Sequence, residues 1–252
     1  MKPSVKQLAR MIDHSILHPT MTDRDLVEGC ALAARYGTAT VCVKPYAVAE
    51  AVRLLQGTEV EVCTVAGFPH GGSSTYVKVS ECAKACEEGA REVDMVVNIG
   101  KVIGGQWDYV NGEIDTLNKA AKGAGAILKV IFENDYLQEE HKIRLCRICT
   151  ALEVAFAKTS TGYGYVKGED GRFSTRGATL EDLRLMKRYC GPDVGIKAAG
   201  GVRTLDEMLA AIEAGATRIG ATATAAILDE ARHRLEGGQS PTPAKDGTDL
   251  GY

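Results

Sequence analysis

The sequence predicts a single (β/α)8 TIM barrel with parallel strands, and three observations carry that prediction. Short apolar runs and amphipathic runs alternate from one end of the 252 residues to the other. Eight such pairs can be counted, the number that closes this barrel. No linker or shift in composition appears before residue 236. Strictly alternating units imply parallel pairing through right-handed crossovers. An open, doubly wound sheet satisfies the same alternation and is the main rival.

In chain order, the first strand is expected over 11–17, followed by a helix over 23–36 with Thr22 as its N-cap and Gly37 after its last turn. A strand over 39–43 leads to a helix over 46–55 that stops at Gly57. The strand over 60–65 precedes a helix over 74–88, ended by Gly89. Strands over 92–98, 127–132 and 154–158 alternate with helices over 109–122 and 138–151. Thr179 opens a helix over 180–190 that Gly191 closes, and a strand over 194–198 follows. Thr204 and Glu207 form a capping box for a helix over 205–214, with Gly215 beyond it. A strand over 217–220 and a helix near 223–235 complete the set. The near-repeats Glu87–Glu92 and Glu213–Arg218 are each a helix end, a glycine and a strand start. The barrel is assigned to 1–236, and the glycine- and proline-containing stretch 237–252 to a flexible polar tail.

Composition excludes several classes. Thirty Lys and Arg against 33 Asp and Glu give a net charge of −3, so no basic field invites nucleic acid or an anionic membrane. No apolar run reaches the ~20 residues of a membrane span, and no secretory signal is read at the N-terminus. The eight cysteines contain one C-x-x-C, Cys146 and Cys149, inside a helix-periodic run, and no pattern at metal-site spacing. They are read as small core residues of a cytoplasmic protein. Scattered histidines are read as structural, so no metal and no cofactor is expected.

The chemistry is expected at the C-terminal ends of the strands. Lys158 and Lys197 close two apolar runs, and Asp94 lies within a third. A free amine is scarce near neutral pH when the pKa is about 10.4, and a neighbouring ammonium or partial desolvation lowers that value. Two lysines and one acid on adjacent strands therefore suit Schiff-base formation, with Lys158 as the nucleophile. The bland alternative is two lysines reaching to the rim and pairing with carboxylates. Lys129 is a third candidate, read as a structural ion pair with Glu133 or Asp94. Phosphate is expected on backbone N–H groups of the glycine-rich turns at Gly200 and Gly201 and at Gly220, Ala221 and Thr222. The Gly162-Tyr163-Gly164 triplet lacks the rest of a dinucleotide fingerprint.

The segments Ile12-Asp13-His14-Ser15-Ile16-Leu17, Val62–His70, Glu92–Gly100, Leu128–Glu133, Ala157–Gly162 and Ile196–Arg203 together resemble the deoxyribose-phosphate aldolase family, from residue 11 to about 225. The resemblance implies a metal-free class I aldolase that cleaves 2-deoxy-D-ribose 5-phosphate to acetaldehyde and D-glyceraldehyde 3-phosphate. Its partners would be small sugar phosphates and aldehydes, with room for a homo-oligomer. It also implies Lys158 as the Schiff-base lysine, Lys197 as the lysine that tunes it, Asp94 as the proton-shuttling acid, and Thr161 and Gly162, with Gly200, Gly201 and Gly220, as phosphate-binding positions. A related aldolase with another carbonyl donor or acceptor, or a non-catalytic sugar-phosphate binder, would use the same fold. The sequence departs from the family pattern at His18, at Lys44 and in the stretch 164–176. Residues 163–176 are expected to form a lid lending Arg172 or Arg176 to the phosphate, and Tyr252 is a candidate to reach the site from the tail.

Overall fold

The structure, a computed structural model, describes residues 3–168 and 170–236; the tail 237–252, with Tyr252, lies outside the described residues. Among the described residues ten strands occur: β1 (Ile12–Ile16), β2 (Thr40–Val43), β3 (Glu61–Ala66), β4 (Glu92–Val96), β5 (Ile127–Ile131), β6 (Phe156–Lys158), β7 (Val166–Lys167), β8 (Phe173–Ser174), β9 (Gly195–Ala199) and β10 (Arg218–Ala221). The helices are α1 (Val5–Ala9), α2 (Asp23–Tyr36), α3 (Val48–Leu54), α4 (Thr75–Glu87), α5 (Ile99–Ile103), α6 (Trp107–Gly123), α7 (Glu139–Ala151), α8 (Leu180–Tyr189), α9 (Leu205–Glu213) and α10 (Thr224–Glu236). Eight strands close a barrel in the order β1-β2-β3-β4-β5-β6-β9-β10, with every neighbouring pair parallel. The first strand is hydrogen-bonded to both β2 and β10, which excludes the open sheet.

Local chemistry explains most boundaries. Thr22 and Thr204 make full capping boxes with Asp25 and Glu207, and Thr179 accepts from the Asp182 backbone N–H. Gly37 ends α2 in the left-handed conformation at φ 67°, where a β-carbon would be disfavoured. Gly191 behaves differently from the expectation: its N–H donates to the Thr150 hydroxyl at 2.8 Å, and its φ is not positive. The sixth barrel strand starts at Phe156 rather than 154, because the Val154 N–H is still bonded to the Cys149 carbonyl at the end of α7. The helix expected over 46–55 begins with a 3₁₀ turn at Pro45–Ala47, with Pro45 in its first turn. Helices α1 and α5 and the antiparallel hairpin β7–β8 were not anticipated; each helix has five residues and each hairpin strand two, too short for periodicity to register.

Strand alternation divides the core in two. Outward residues such as Val93, Met95, Leu128, Val130 and Ile196 are buried against the helices, each worth roughly 1.5–3 kcal/mol. Inward residues include Asp13, Thr40, Cys42, Cys63, Asp94, Lys129, Lys158 and Lys197, all buried. The barrel centre is thus polar and charged, where branched apolar layers would be usual.

Candidate active site

Asp94 on β4 is the centre of the charge network. Its Oδ2 accepts from Lys158 Nζ at 2.7 Å and from Lys197 Nζ at 2.6 Å, while Oδ1 accepts from Lys129 Nζ at 2.7 Å. The two pocket lysines therefore share one oxygen. The register explains this convergence: Lys158 on β6 is directly opposite Lys197 on β9, and Asp94 is directly opposite Lys129 on β5. A second layer lies beneath. Lys197 also meets Asp13 Oδ2 at 2.5 Å, and Arg218 bridges Asp13 at 2.6 Å and Glu92 at 2.9 Å. Lys129 reaches Glu92 at 2.7 Å. The Arg218 guanidinium is also stacked 4.9 Å over the Phe156 ring.

Burial alone would push these groups towards neutrality, and the pairing reverses it. Desolvation raises Asp94, but the charges of Lys129, Lys158 and Lys197 outweigh it and hold the carboxyl well below the usual range. Asp13 is likewise lowered, by Lys129, Lys197 and Arg218 acting against burial. Burial opposes the charge on Lys197, yet Asp13 and Asp94 raise its pKa and keep it an ammonium ion. Lys129 is raised in the same way, by Asp13 and Asp94 against burial. Among the described residues the ion pairs are unequal: Lys129 contacts three carboxylates, Lys197 two and Lys158 one. Two sets of metal-type donors, Cys42-Cys63-Asp94 and Asp13-Cys63-Glu92, also lie in this core, but their carboxylates are engaged by ammonium groups that oppose a divalent cation.

Above the network, the C-terminal ends of the strands form a cleft with a volume of about 60 Å³. Lys158, Lys197 and Asp13 line it, as do Thr161, Gly162, Gly200, Gly201, Gly220, Ala221 and Thr222. Gly200 and Gly201 have φ of 88° and 90°, and Gly177 is packed so tightly on the Gly200 backbone that a β-carbon at 177 would meet its carbonyl oxygen at 2.5 Å. The outcome is a wall of close-packed backbone beside the lysines, suited to an anion that needs N–H donors and no side-chain bulk.

The profile of the DeoC/LacD family aldolases matches residues 8–229. The deoxyribose-phosphate aldolase of Rhodopirellula baltica is 49% identical over 228 residues, 90% of each chain. That of Thermococcus gammatolerans is 45% identical over 90% of this chain and 97% of its own. The tetrameric deoxyribose phosphate aldolase of Aeropyrum pernix superposes with a TM-score of 0.81 at 27% identity, covering 92% of this chain and 94% of that one. The chain belongs to the DeoC/LacD aldolase family.

Within this aldolase, the residues singled out from the sequence fall into three groups. Lys158, Lys197 and the glycine turns share one cleft, with Asp94 buried directly below it. Lys129 is in the network but does not line the cleft, and it pairs with Asp94, Glu92 and Asp13 rather than with Glu133. Glu133 lies past the end of β5, where its carboxylate accepts from Thr161 instead. The third group stands apart: Arg172 is 4.0 Å from Asp170 and Arg176 is 3.8 Å from Asp135, and neither is among the residues that line the cleft. Asp135 accepts from Thr175 Oγ1 at 2.7 Å and from the Arg176 N–H at 2.9 Å, which fixes the base of the hairpin beside the turn after β5. Arg203, after β9, lines the cleft in their place.

Sequence reading missed Asp13, Glu92 and Arg218, which complete the network of the aldolase. The signal was present: Asp13 interrupts an apolar strand, and Glu92 shares its strand face with Asp94 by two-residue alternation. What the sequence does not carry is the stagger that brings β10 and β4 together across the barrel.

Proposed function

We propose that this chain cleaves 2-deoxy-D-ribose 5-phosphate reversibly to acetaldehyde and D-glyceraldehyde 3-phosphate, with Lys158 as the Schiff-base nucleophile. The observation that carries the assignment of the lysine is the inequality of the ion pairs. Lys129 and Lys197 are each held by two or more carboxylates, whereas Lys158 has one and borders the cleft. The nucleophile must lose its proton, and among the described residues Lys158 is the network amine with the fewest carboxylates around it.

In this reading the Lys158 amine adds to the aldehyde carbon C1 of the open-chain sugar, and water leaves to give the iminium. A base removes the proton from the C3 hydroxyl, the C2–C3 bond breaks, and its electrons flow into the iminium to form an enamine. The triose phosphate departs; C2 is then protonated, and water returns to release acetaldehyde and the free lysine. Asp94, bonded to both amines, supports the reading as the acid that carries protons at the carbinolamine and enamine stages. Lys197 supplies a fixed positive charge beside Lys158, and the glycine turns with Arg203 receive the phosphate.

A homo-oligomer is part of the proposal, since the A. pernix relative is tetrameric. A cytoplasmic address is supported by eight cysteines that are all unpaired. The test is borohydride reduction in the presence of acetaldehyde, followed by peptide mapping. A reduced ethyl adduct on Lys158 is expected; an adduct on Lys129 or Lys197, or none, overturns the assignment.

A further inference from the structure

The turn that follows the nucleophile is not self-supporting. Residues Thr159 to Gly164 leave β6 without a regular ladder, yet they must place the Gly162 backbone beside Gly200. The backbones there are packed together: a β-carbon at Gly200 would meet Gly177 Cα at 3.1 Å and would be in van der Waals contact with Gly162 Cα at 3.7 Å. What holds the turn is one buried carboxylate on the neighbouring loop. Glu133 accepts from the Thr161 backbone N–H at 3.1 Å through Oε1, and from the Thr161 hydroxyl through Oε2. The same hydroxyl accepts from the Tyr163 N–H at 2.9 Å, so the carboxylate, the threonine and the turn form one chain of hydrogen bonds. The backbone is fastened on the same side, with the Asn134 N–H bonded to the Thr159 carbonyl at 3.0 Å. Gly164 is packed against the carboxylate closely enough that a β-carbon would lie 2.8 Å from it.

Glu133 is also held at a cost. It adopts φ 58°, in the left-handed region that a non-glycine residue seldom occupies, and it is almost fully buried. Burial raises its pKa, the hydrogen bonds from Thr161 lower it, and no lysine or arginine forms an ion pair with it among the described residues. A strained, buried acid with both oxygens committed to one turn implies that the turn's position matters.

We propose that Glu133 is a positioning residue that clamps the Thr161–Gly162 turn and so sets the geometry of the phosphate cradle. This rests on the aldolase reading above. The clamp acts on the phosphate end of the substrate, not on the amine chemistry, so its loss should separate phosphorylated from unphosphorylated sugars.

The experiment is steady-state cleavage of 2-deoxyribose 5-phosphate and of 2-deoxyribose by wild type, E133A, E133Q and T161V. E133A is expected to raise KM for the phosphorylated sugar by about tenfold or more, in line with losing a charge-assisted hydrogen bond. KM for 2-deoxyribose should change less than about twofold, in keeping with a group that does not meet the reacting atoms. E133Q keeps an acceptor for the Thr161 N–H and should recover part of the loss. T161V, which leaves the acid in place, should shift the same ratio, and E133Q with T161V should cost less than the sum of the two. T161V and E133Q carry the test if E133A fails to fold. Equal KM changes for both sugars, unaltered KM values, or strictly additive variants would overturn the clamp. Wild type that cleaves neither sugar would instead contradict the aldolase reading itself.

Discussion

Asp94 Oδ2 accepts from Lys197 and Lys158 at almost the same distance, yet the two amines are not equivalent. Lys197 has Asp13 beneath it as well, so its charge is fixed whatever happens above. Replacing Lys197 with Leu removes that charge and leaves Asp94 to hold Lys158 as its ammonium ion. Activity at neutral pH should fall by about 10²-fold or more, the scale of one proton-transfer or charge effect. Alkaline conditions release the free amine, so the loss should shrink from pH 7 towards pH 10. A pH–rate profile for the K197L variant checks this, and a loss of equal size across that range would deny Lys197 its tuning role. The residue scale was partly legible beforehand. A lysine that ends an apolar strand can be read from sequence, whereas the number of carboxylates around it cannot.

At the scale of elements, α4, α6 and β4 are tied by one buried pair. Lys78 on α4 donates to Glu113 on α6 at 3.0 Å and to the Val96 carbonyl at 2.8 Å, with both side chains fully buried. Desolvation lowers Lys78, opposed by Glu113. Replacing Lys78 with Met leaves Glu113 as an uncompensated buried charge and should cost roughly 3–5 kcal/mol. The double variant with Glu113→Leu should recover a large part of it, as urea denaturation can measure. The loops differ in kind. Arg203 lines the cleft, while Arg176 belongs to the hairpin base held by Asp135. Arg203→Ala should raise KM for the phosphorylated sugar by about tenfold, and Arg176→Ala should change it less than twofold, the worth of an exposed ion pair. A larger effect at Arg176 would return the hairpin to the role of a phosphate lid.

At the scale of the whole molecule, the barrel closes where the first strand meets the last elements. His14 on β1 is hydrogen-bonded to the Thr224 hydroxyl at the start of α10, at 2.9 Å, and Arg218 on β10 binds Asp13. Burial lowers the His14 pKa to about 4 from an ordinary 6.5. The folded state therefore excludes a proton that the unfolded chain accepts, so stability is complete above pH 6.5 and falls as pH drops from there to about 4. The loss should amount to about 3 kcal/mol over that window. Thermal or urea midpoints measured across it should decline in wild type and decline much less in His14→Gln. Identical slopes would exclude His14 as the titrating group. The acids act in the same direction at lower pH: Asp13 and Asp94 are depressed, so their contribution is complete above the ordinary carboxylate range and is lost as pH falls below it.

Sequence alone determined the class of the fold, because hydrophobic periodicity and capping residues are local. Thr22, Thr179 and Thr204 each start the helix expected of them, and all eight barrel strands were legible. It also singled out Lys158, Lys197, Asp94 and the glycine turns, since charge inside an apolar strand and glycine after it stand out without any partner in view. Tertiary structure decided what those residues face. Asp13, Glu92 and Arg218 joined the network through parallel register and barrel closure, which couple residues up to 205 positions apart. The same reason governs Glu133. Its pairing with Thr161 rather than Lys129 depends on a left-handed turn after β5 that redirects the side chain, and strand alternation holds only while the strand continues.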